Sequence, residues 1–145
     1  MPNWCEGTLR IRGEAETIIK LCKEYFNGVD AEIQGDWHWL EISTGDWSYI
    51  KDSNRAFTMS CNVGWYISED KPLVVAIPVV QAWCFDVDYW AKLSKDYGVD
   101  IRIHGFEQGM CFESELEVHK GEIVTNETIT YEDYIWESPM PLLGG

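Results

Sequence analysis

The stretch WCEGTLRIRGEAETIIKLCKEYFNG, residues 4–28, changes its hydrophobic period midway. From Trp4 to Arg12 the residues alternate. Cys5, Gly7, Leu9 and Ile11 fall on one side and Thr8, Arg10 and Arg12 on the other, the pattern of a half-buried strand. From Glu14 to Asn27 the period is helical. Ile18, Leu21, Cys22 and Tyr25 recur at i, i+3, i+4 and i+7, and Ile19 and Phe26 widen the stripe. Glu14 and Glu16 occupy the first turn, where the helix dipole favours carboxylates, and Glu16 lies four residues before Lys20. Gly28 supplies the stop.

The later chain repeats this grammar. His38 to Ser43 alternates, with His38, Leu40 and Ile42 on one side. Residues 44–55 are rich in turn formers. Phe57, Met59, Cys61 and Val63 mark a third strand, and Leu73 to Val80 a more buried one. Asp86 reads as an N-cap, followed by the stripe Val87, Trp90, Leu93 and Tyr97 and a stop at Gly98. Val99, Ile101 and Ile103 alternate with Asp100, Arg102 and His104. Residues 111–118 and 122–130 read as a hairpin about Lys120 and Gly121. This order predicts an α+β fold, a ferredoxin-like sandwich with an antiparallel sheet, two helices on one of its faces, and a C-terminal β-hairpin extension. One domain is expected over residues 1–137, with a flexible tail over 138–145.

Composition narrows the function. The 145 residues suffice for one domain with a true core. The longest apolar run, Leu73 to Val80, is interrupted by Pro78, so no membrane span is expected. Eleven Lys and Arg against twenty-five Asp and Glu give a net charge of −14. Such a chain repels nucleic acid and anionic membranes and favours a partner with a basic surface. Residues 100–145 are especially acidic, with ten carboxylates against Arg102 and Lys120. The N-terminus has neither the basic start nor the apolar segment of a secretion signal, and five cysteines without a close pair read as reduced thiols, so a cytoplasmic location is expected. Asn126-Glu-Thr128 fits a glycosylation sequon, which a cytoplasmic chain leaves unused.

Three passages resemble one family. The opening Met1-Pro-Asn-Trp-Cys5 with the strand ending Leu9-Arg-Ile-Arg-Gly13, the passage Gln81-Ala-Trp-Cys-Phe85 before a helix, and Gly105-Phe-Glu-Gln-Gly-Met-Cys-Phe112 after a strand are similar to the YubB-type ferredoxin-like domain of plasmid, phage and prophage proteins. The resemblance covers the chain to about residue 120. It departs at Cys61-Asn-Val-Gly-Trp65, where the family shows Trp-Gly-Thr-Lys-Trp, and at Ala82-Trp-Cys-Phe-Asp86, where it shows Ala-Trp-Ser-Pro-Pro. It implies the fold and a mobile-element origin, and carries over no catalytic residue.

Several constellations are candidates for function. Glu113, Glu115 and Glu117 project from one face of a strand, roughly 7 Å apart. Such a ladder can present itself to a basic protein as a row of phosphates, although solvated outer strands carry the same pattern. Arg10 and Arg12, with Arg102 and His104 from a neighbouring strand, form a basic patch able to hold a small anion, unless Asp100 or Glu41 pairs with them. Trp37, Trp39, Trp47 and Tyr49 surround one strand and turn and suit a protein interface or core, whereas Trp65, Trp83 and Trp90 read as core. Removal of Met1 would leave a prolyl amine at Pro2, a general base when buried, but ordinary processing accounts for it. The three histidines lack metal-ligand spacing, and no P-loop, GxSxG or GxGxxG occurs. Cys5, Cys61, Cys84 and Cys111 contain no close pair for zinc, and Leu142-Leu-Gly-Gly145 reads as a flexible end.

The expectation is a non-catalytic protein-binding module with no cofactor or metal, and no direct nucleic-acid or membrane binding. The acidic ladder and the exposed aromatic residues would occupy a basic host or defence protein. Two alternatives stand beside it. One is a binder or enzyme for a phosphate or nucleotide on the open sheet face. The other is a structural homodimer that buries that face.

Overall fold

The computed structural model describes residues 2–34, 37–59, 61–67 and 72–132. The elements follow as β1 (Trp4–Gly13), α1 (Ala15–Tyr25), β2 (Val29–Gln34), β3 (Trp37–Ser43), β4 (Ser48–Tyr49), β5 (Ala56–Thr58), β6 (Asn62–Ile67), β7 (Leu73–Ala82), α2 (Val87–Tyr97), β8 (Asp100–Glu107), β9 (Phe112–His119) and β10 (Glu122–Thr130). Seven strands form one sheet in the order β10-β9-β8-β1-β7-β5-β4, and three form a second in the order β2-β3-β6. Every pairing is antiparallel.

The alternation of β1 decides which face of the large sheet is inside. Cys5, Leu9 and Ile11 are fully buried, and Leu73, Val75, Ile77 and Val79 of β7, Ile101 and Ile103 of β8, and Leu116 and Val118 of β9 join them. Ile18, Leu21 and Cys22 of α1 and Trp90 and Leu93 of α2 enter the same core, so both helices cover this face. Leu40 and Ile42 add the small sheet to it. Gln81 fills the polar need inside: its amide donates to Asn54 O at 3.0 Å, while its Oε1 accepts from Asp86 N at 3.0 Å and Trp90 Nε1 at 3.1 Å.

The helix boundaries have local causes. Asp86 Oδ1 accepts from Tyr89 N at 3.1 Å and starts α2; Gly98, with φ at 63°, ends it in the left-handed conformation. Glu14 starts α1 without a side-chain capping bond. Gly28, φ 68°, turns the chain into β2 so tightly that a Cβ there would overlap the Ser43 carbonyl. No described helix is long and apolar enough to cross a membrane.

Three expectations change. The alternation of half-buried Val29 and Ala31 with Asp30 and Glu32 belongs to a strand, β2, where the periodicity marks none. The single strand expected over Phe57 to Val63 is two, because β5 pairs with β7 in the large sheet and β6 with β3 in the small one. Trp83 is not core: it is 57% exposed. It stands at a left-handed bend, φ 70°, just beyond β7. The expected tail over 138–145 lies outside the described residues.

Candidate functional site

The other face of the large sheet carries nearly all the candidate side chains. Its cross-strand rows follow from register. One runs Val74, Arg12, Asp100, His119, Glu122. The next runs Ala76, Arg10, Arg102, Glu117, Thr125, and the next Pro78, Thr8, His104, Glu115, Glu127. A fourth crosses all seven strands as Tyr49, Phe57, Val80, Glu6, Phe106, Glu113, Ile129. The face is therefore basic along β1, mixed along β8 and acidic along β9 and β10, with an aromatic corner at β4 and β5.

The acidic ladder and the basic patch meet and pair. Arg102 directs Nε and Nη2 to Glu115 Oε1 at 3.1 and 2.6 Å. His104 Nε2 meets Glu113 Oε1, and Tyr131 donates to the other oxygen of Glu113 at 2.8 Å. His119 Nε2 lies 2.7 Å from Glu117. Arg12 directs Nε and Nη2 to Asp100 Oδ2 at 3.0 and 2.8 Å. The two arginine pairs are solvent-exposed and the two histidine contacts part-buried; an exposed pair contributes about 1 kcal/mol or less. Their larger consequence is local charge: every glutamate of the ladder has a basic neighbour. Arg10 differs. It stands directly opposite Arg102 and has no ion pair among the described residues. A shallow cavity of about 180 Å³ lies beside it, lined by Arg10, Arg12, Arg102, Asp100, Glu117 and His119 among others. Glu41, the other expected counter-charge, instead accepts from Trp39 Nε1 at 3.4 Å.

The four aromatic candidates do not gather. Trp37 and Trp39 belong to β3 in the small sheet, and Trp39 is half-buried; the side chain of Trp37 lies outside the described residues. Tyr49 lies on β4 of the large sheet and Trp47 in the turn just before it, where Trp4 and Phe57, marked by the sequence only as strand residues, join them. Trp47 packs edge-on against Trp4 with ring centres 4.8 Å apart and against Phe57 at 5.6 Å; Tyr49 meets Phe57 at 5.7 Å. Arg55 lies 5.8 Å above the Trp4 ring. Trp47 and Tyr49 remain 42% and 45% exposed. Trp47 and Arg55 both have φ at 55°, an unfavourable backbone for residues with a Cβ. Trp83, also left-handed, donates its N–H to Asn3 O beside the same corner. The signal for Trp4 was available, since it shares strand parity with Thr8, Arg10 and Arg12.

At this end of β1 the three passages of the family resemblance meet: Asn3 bonds Trp83, and Cys5 stands opposite Gln81 and Glu107. Glu107 is fully buried and its two oxygens accept from Gly109 N at 2.8 Å and Met110 N at 2.5 Å, which fixes the β8–β9 turn. Burial, reinforced by Cys84, Glu107 and Glu6, pushes the Cys5 thiol up and holds it protonated. Cys22 is pushed up to about 12 by burial. No group of three or more metal-ligating residues is assembled among the described residues. No protein-family model, curated protein or solved structure matches the chain.

Proposed function

We propose that this chain is a non-catalytic protein-binding module on a ferredoxin-like core, and that its principal contact is the aromatic corner of Trp4, Trp47, Tyr49, Phe57 and Arg55. The strand order β8-β1-β7-β5, with α1 after β1 and α2 after β7, supports that core, and β9 with β10 extends it as a hairpin. The observation that carries the function is the half-exposed Trp47 and Tyr49 packed edge-on against Trp4 and Phe57, with Trp47 on left-handed backbone. Trp, Tyr and Arg dominate binding energy at interfaces, and strained backbone gathers where a surface has a task. The net charge of −14 directs the corner to a basic partner. Mimicry by Glu113, Glu115 and Glu117 has less support than the corner, because His and Arg neighbours already answer them. A mobile-element origin and a reducing, cytoplasmic setting belong to the same reading; the five free cysteines fit it.

The test is capture from bacterial lysate by the tagged chain, with partners identified by mass. A stoichiometric partner retained by the wild type and lost by the Trp47→Ala/Tyr49→Ala variant, with its circular dichroism unchanged, supports the module. Equal capture by both proteins removes the corner from the account.

Arg10 favours a second reading, a site for a compact anion. Two arginines opposed across a strand pair repel, and an oxyanion between them relieves the repulsion. Phosphate should then raise the melting temperature of the wild type and not of Arg10→Glu; no shift in the wild type ends this reading.

A further inference from the structure

We infer that the outer edge of β10 is a docking site for an extended, basic segment of a partner protein, which joins the large sheet as an added strand. The inference rests on the reading of the chain as a protein-binding module and names the chemistry of its partner.

The two edges of the large sheet are unequal. Among the described residues, β4 closes one edge with two residues, whereas β10 leaves nine at the other. Natural edge strands are kept short or guarded by charged side chains, lysine above all, or by proline, bulges or coverage; β10 has two of these guards, its glutamates Glu122 and Glu127 and an irregularity at Val124. β10 carries no lysine, arginine or proline, and it is exposed along nearly its whole length. Its β-branched residues are Ile123, Val124, Thr125, Thr128, Ile129 and Thr130, beside Glu122, Asn126 and Glu127, and Ile123, Val124 and Ile129 are 48%, 54% and 49% exposed. The irregularity at Val124 lies near the turn and leaves 125–130 in continuous register with β9.

The free backbone groups can be assigned. Tyr131 donates its N–H to Cys111 O in β9's direction. Hydrogen-bonding direction alternates along an antiparallel strand. Ile129, Glu127 and Thr125 therefore turn their backbone groups inward to β9, and Asn126, Thr128 and Thr130 turn theirs outward. Those outward groups are what an added strand pairs with.

Charge selects the occupant. Glu122 and Glu127 have no ion pair among the described residues, and Glu127 stands opposite Glu115, whose counter-charge is Arg102. Lysine or arginine on the added strand, placed beside Glu127, supplies the missing cation. A second copy would instead bring another −14 to the same edge. The best segment alternates Lys or Arg with β-branched residues, so that one face answers Glu122 and Glu127 and the backbone supplies the rest.

The probe is a fluorescent, end-capped octapeptide alternating Lys with Thr and Val; its twin with Glu for Lys is the control. Wild-type protein should bind the basic peptide, more weakly at high salt, and ignore the acidic twin. Thr128→Pro removes an outward N–H while leaving the inward bonds of β9, and should weaken binding at least tenfold; Glu127→Lys should do so chiefly at low salt. Should Thr128→Pro misfold, amide exchange in the wild type decides: the amides of Asn126, Thr128 and Thr130 should gain protection when peptide is added. Unchanged exchange, equal binding of the two peptides, or undiminished binding by a folded Thr128→Pro overturns the inference. A wild-type dimer in sedimentation that Thr128→Pro dissociates also overturns it, by giving the edge to a second copy. Capture that depends on Trp47 and Tyr49 is a separate readout. If it persists while the peptide fails to bind, only the edge proposal falls; if both fail, the module reading falls too.

Discussion

Gln81 shows what a single buried polar side chain does in this core. It is the shared partner of the Asn54 carbonyl, the Asp86 amide and the Trp90 indole. Gln81→Leu places an apolar group of similar shape there and orphans the buried Trp90 indole and the part-buried Asp86 amide, so the expected loss is about 2 kcal/mol, read from the urea midpoint at constant slope. The buried thiols give a second prediction. Cys22 is pushed up to about 12 from its ordinary 9.0, and burial also raises Cys5, Cys61 and Tyr89. The folded chain keeps these protons at a pH where the unfolded chain releases them. Their stabilisation is whole below the unfolded values and is lost as pH rises toward the folded ones. The urea midpoint should stay level up to about pH 8.5 and fall above about pH 9; a midpoint that rises there contradicts the burial. Under native conditions a thiol reagent should label Cys84 and Cys111 at once, and Cys5, Cys22 and Cys61 only in denaturant, following their exposure. Cysteine parity was legible in the sequence for Cys5 and Cys22, which sit on apolar faces. The task of Gln81 was not, because its three partners come from separate loops and a helix.

At the scale of elements, local chemistry carried most of the information. α2 has a capping aspartate, an amphipathic stripe and a glycine stop, and it occupies Val87–Tyr97 as those signals require. Asp86→Ala should cost about 1 kcal/mol, since it strips the acceptor from Tyr89 N. Glu14→Ala, where no capping bond exists, should stay within about 0.5 kcal/mol. Equal losses in the two variants would contradict the capping geometry. The hairpin of β9 and β10 was equally legible from its alternation and from Lys120-Gly121, both left-handed in the turn. The segment from Phe57 to Val63 was not. Its alternation reads as one strand, and what divides it is partner choice: β7 claims the first half and β3 the second.

For the whole molecule, β1 sets the assembly of the large sheet and the makeup of its open face. It comes first in the chain, yet its two neighbours in the sheet, β7 and β8, come from the second half. Closing such loops costs entropy before contacts form, so refolding should take milliseconds to seconds. Stopped-flow tryptophan fluorescence checks this, with Trp90 as the buried reporter; complete recovery within microseconds would be incompatible with the topology. The same pairings place Arg10 against Arg102, and β8 brings the ladder of β9 beside them. A surface that sequence divides into an acidic hairpin, a basic strand and an aromatic turn is one continuous face.

The sequence by itself determined the period of each main strand and helix, the caps of α2, the turn of the hairpin, the excess of acid and the outward parity of Arg10, Arg12 and Glu113, Glu115 and Glu117. These depend on neighbours within a few residues, where backbone geometry fixes which side chains share a face. Only the tertiary structure decided that Trp47 and Tyr49 rest on Trp4 and Phe57 while Trp39 belongs to another sheet, that the ladder is answered by Arg102, His104 and His119, and that β10 is the outermost of the described strands. Those facts are cross-strand neighbourhoods. They arise from register between segments far apart in the chain, chosen because burying Cys5, Leu9 and Ile11 with both helices leaves the opposite side chains of every strand to meet one another.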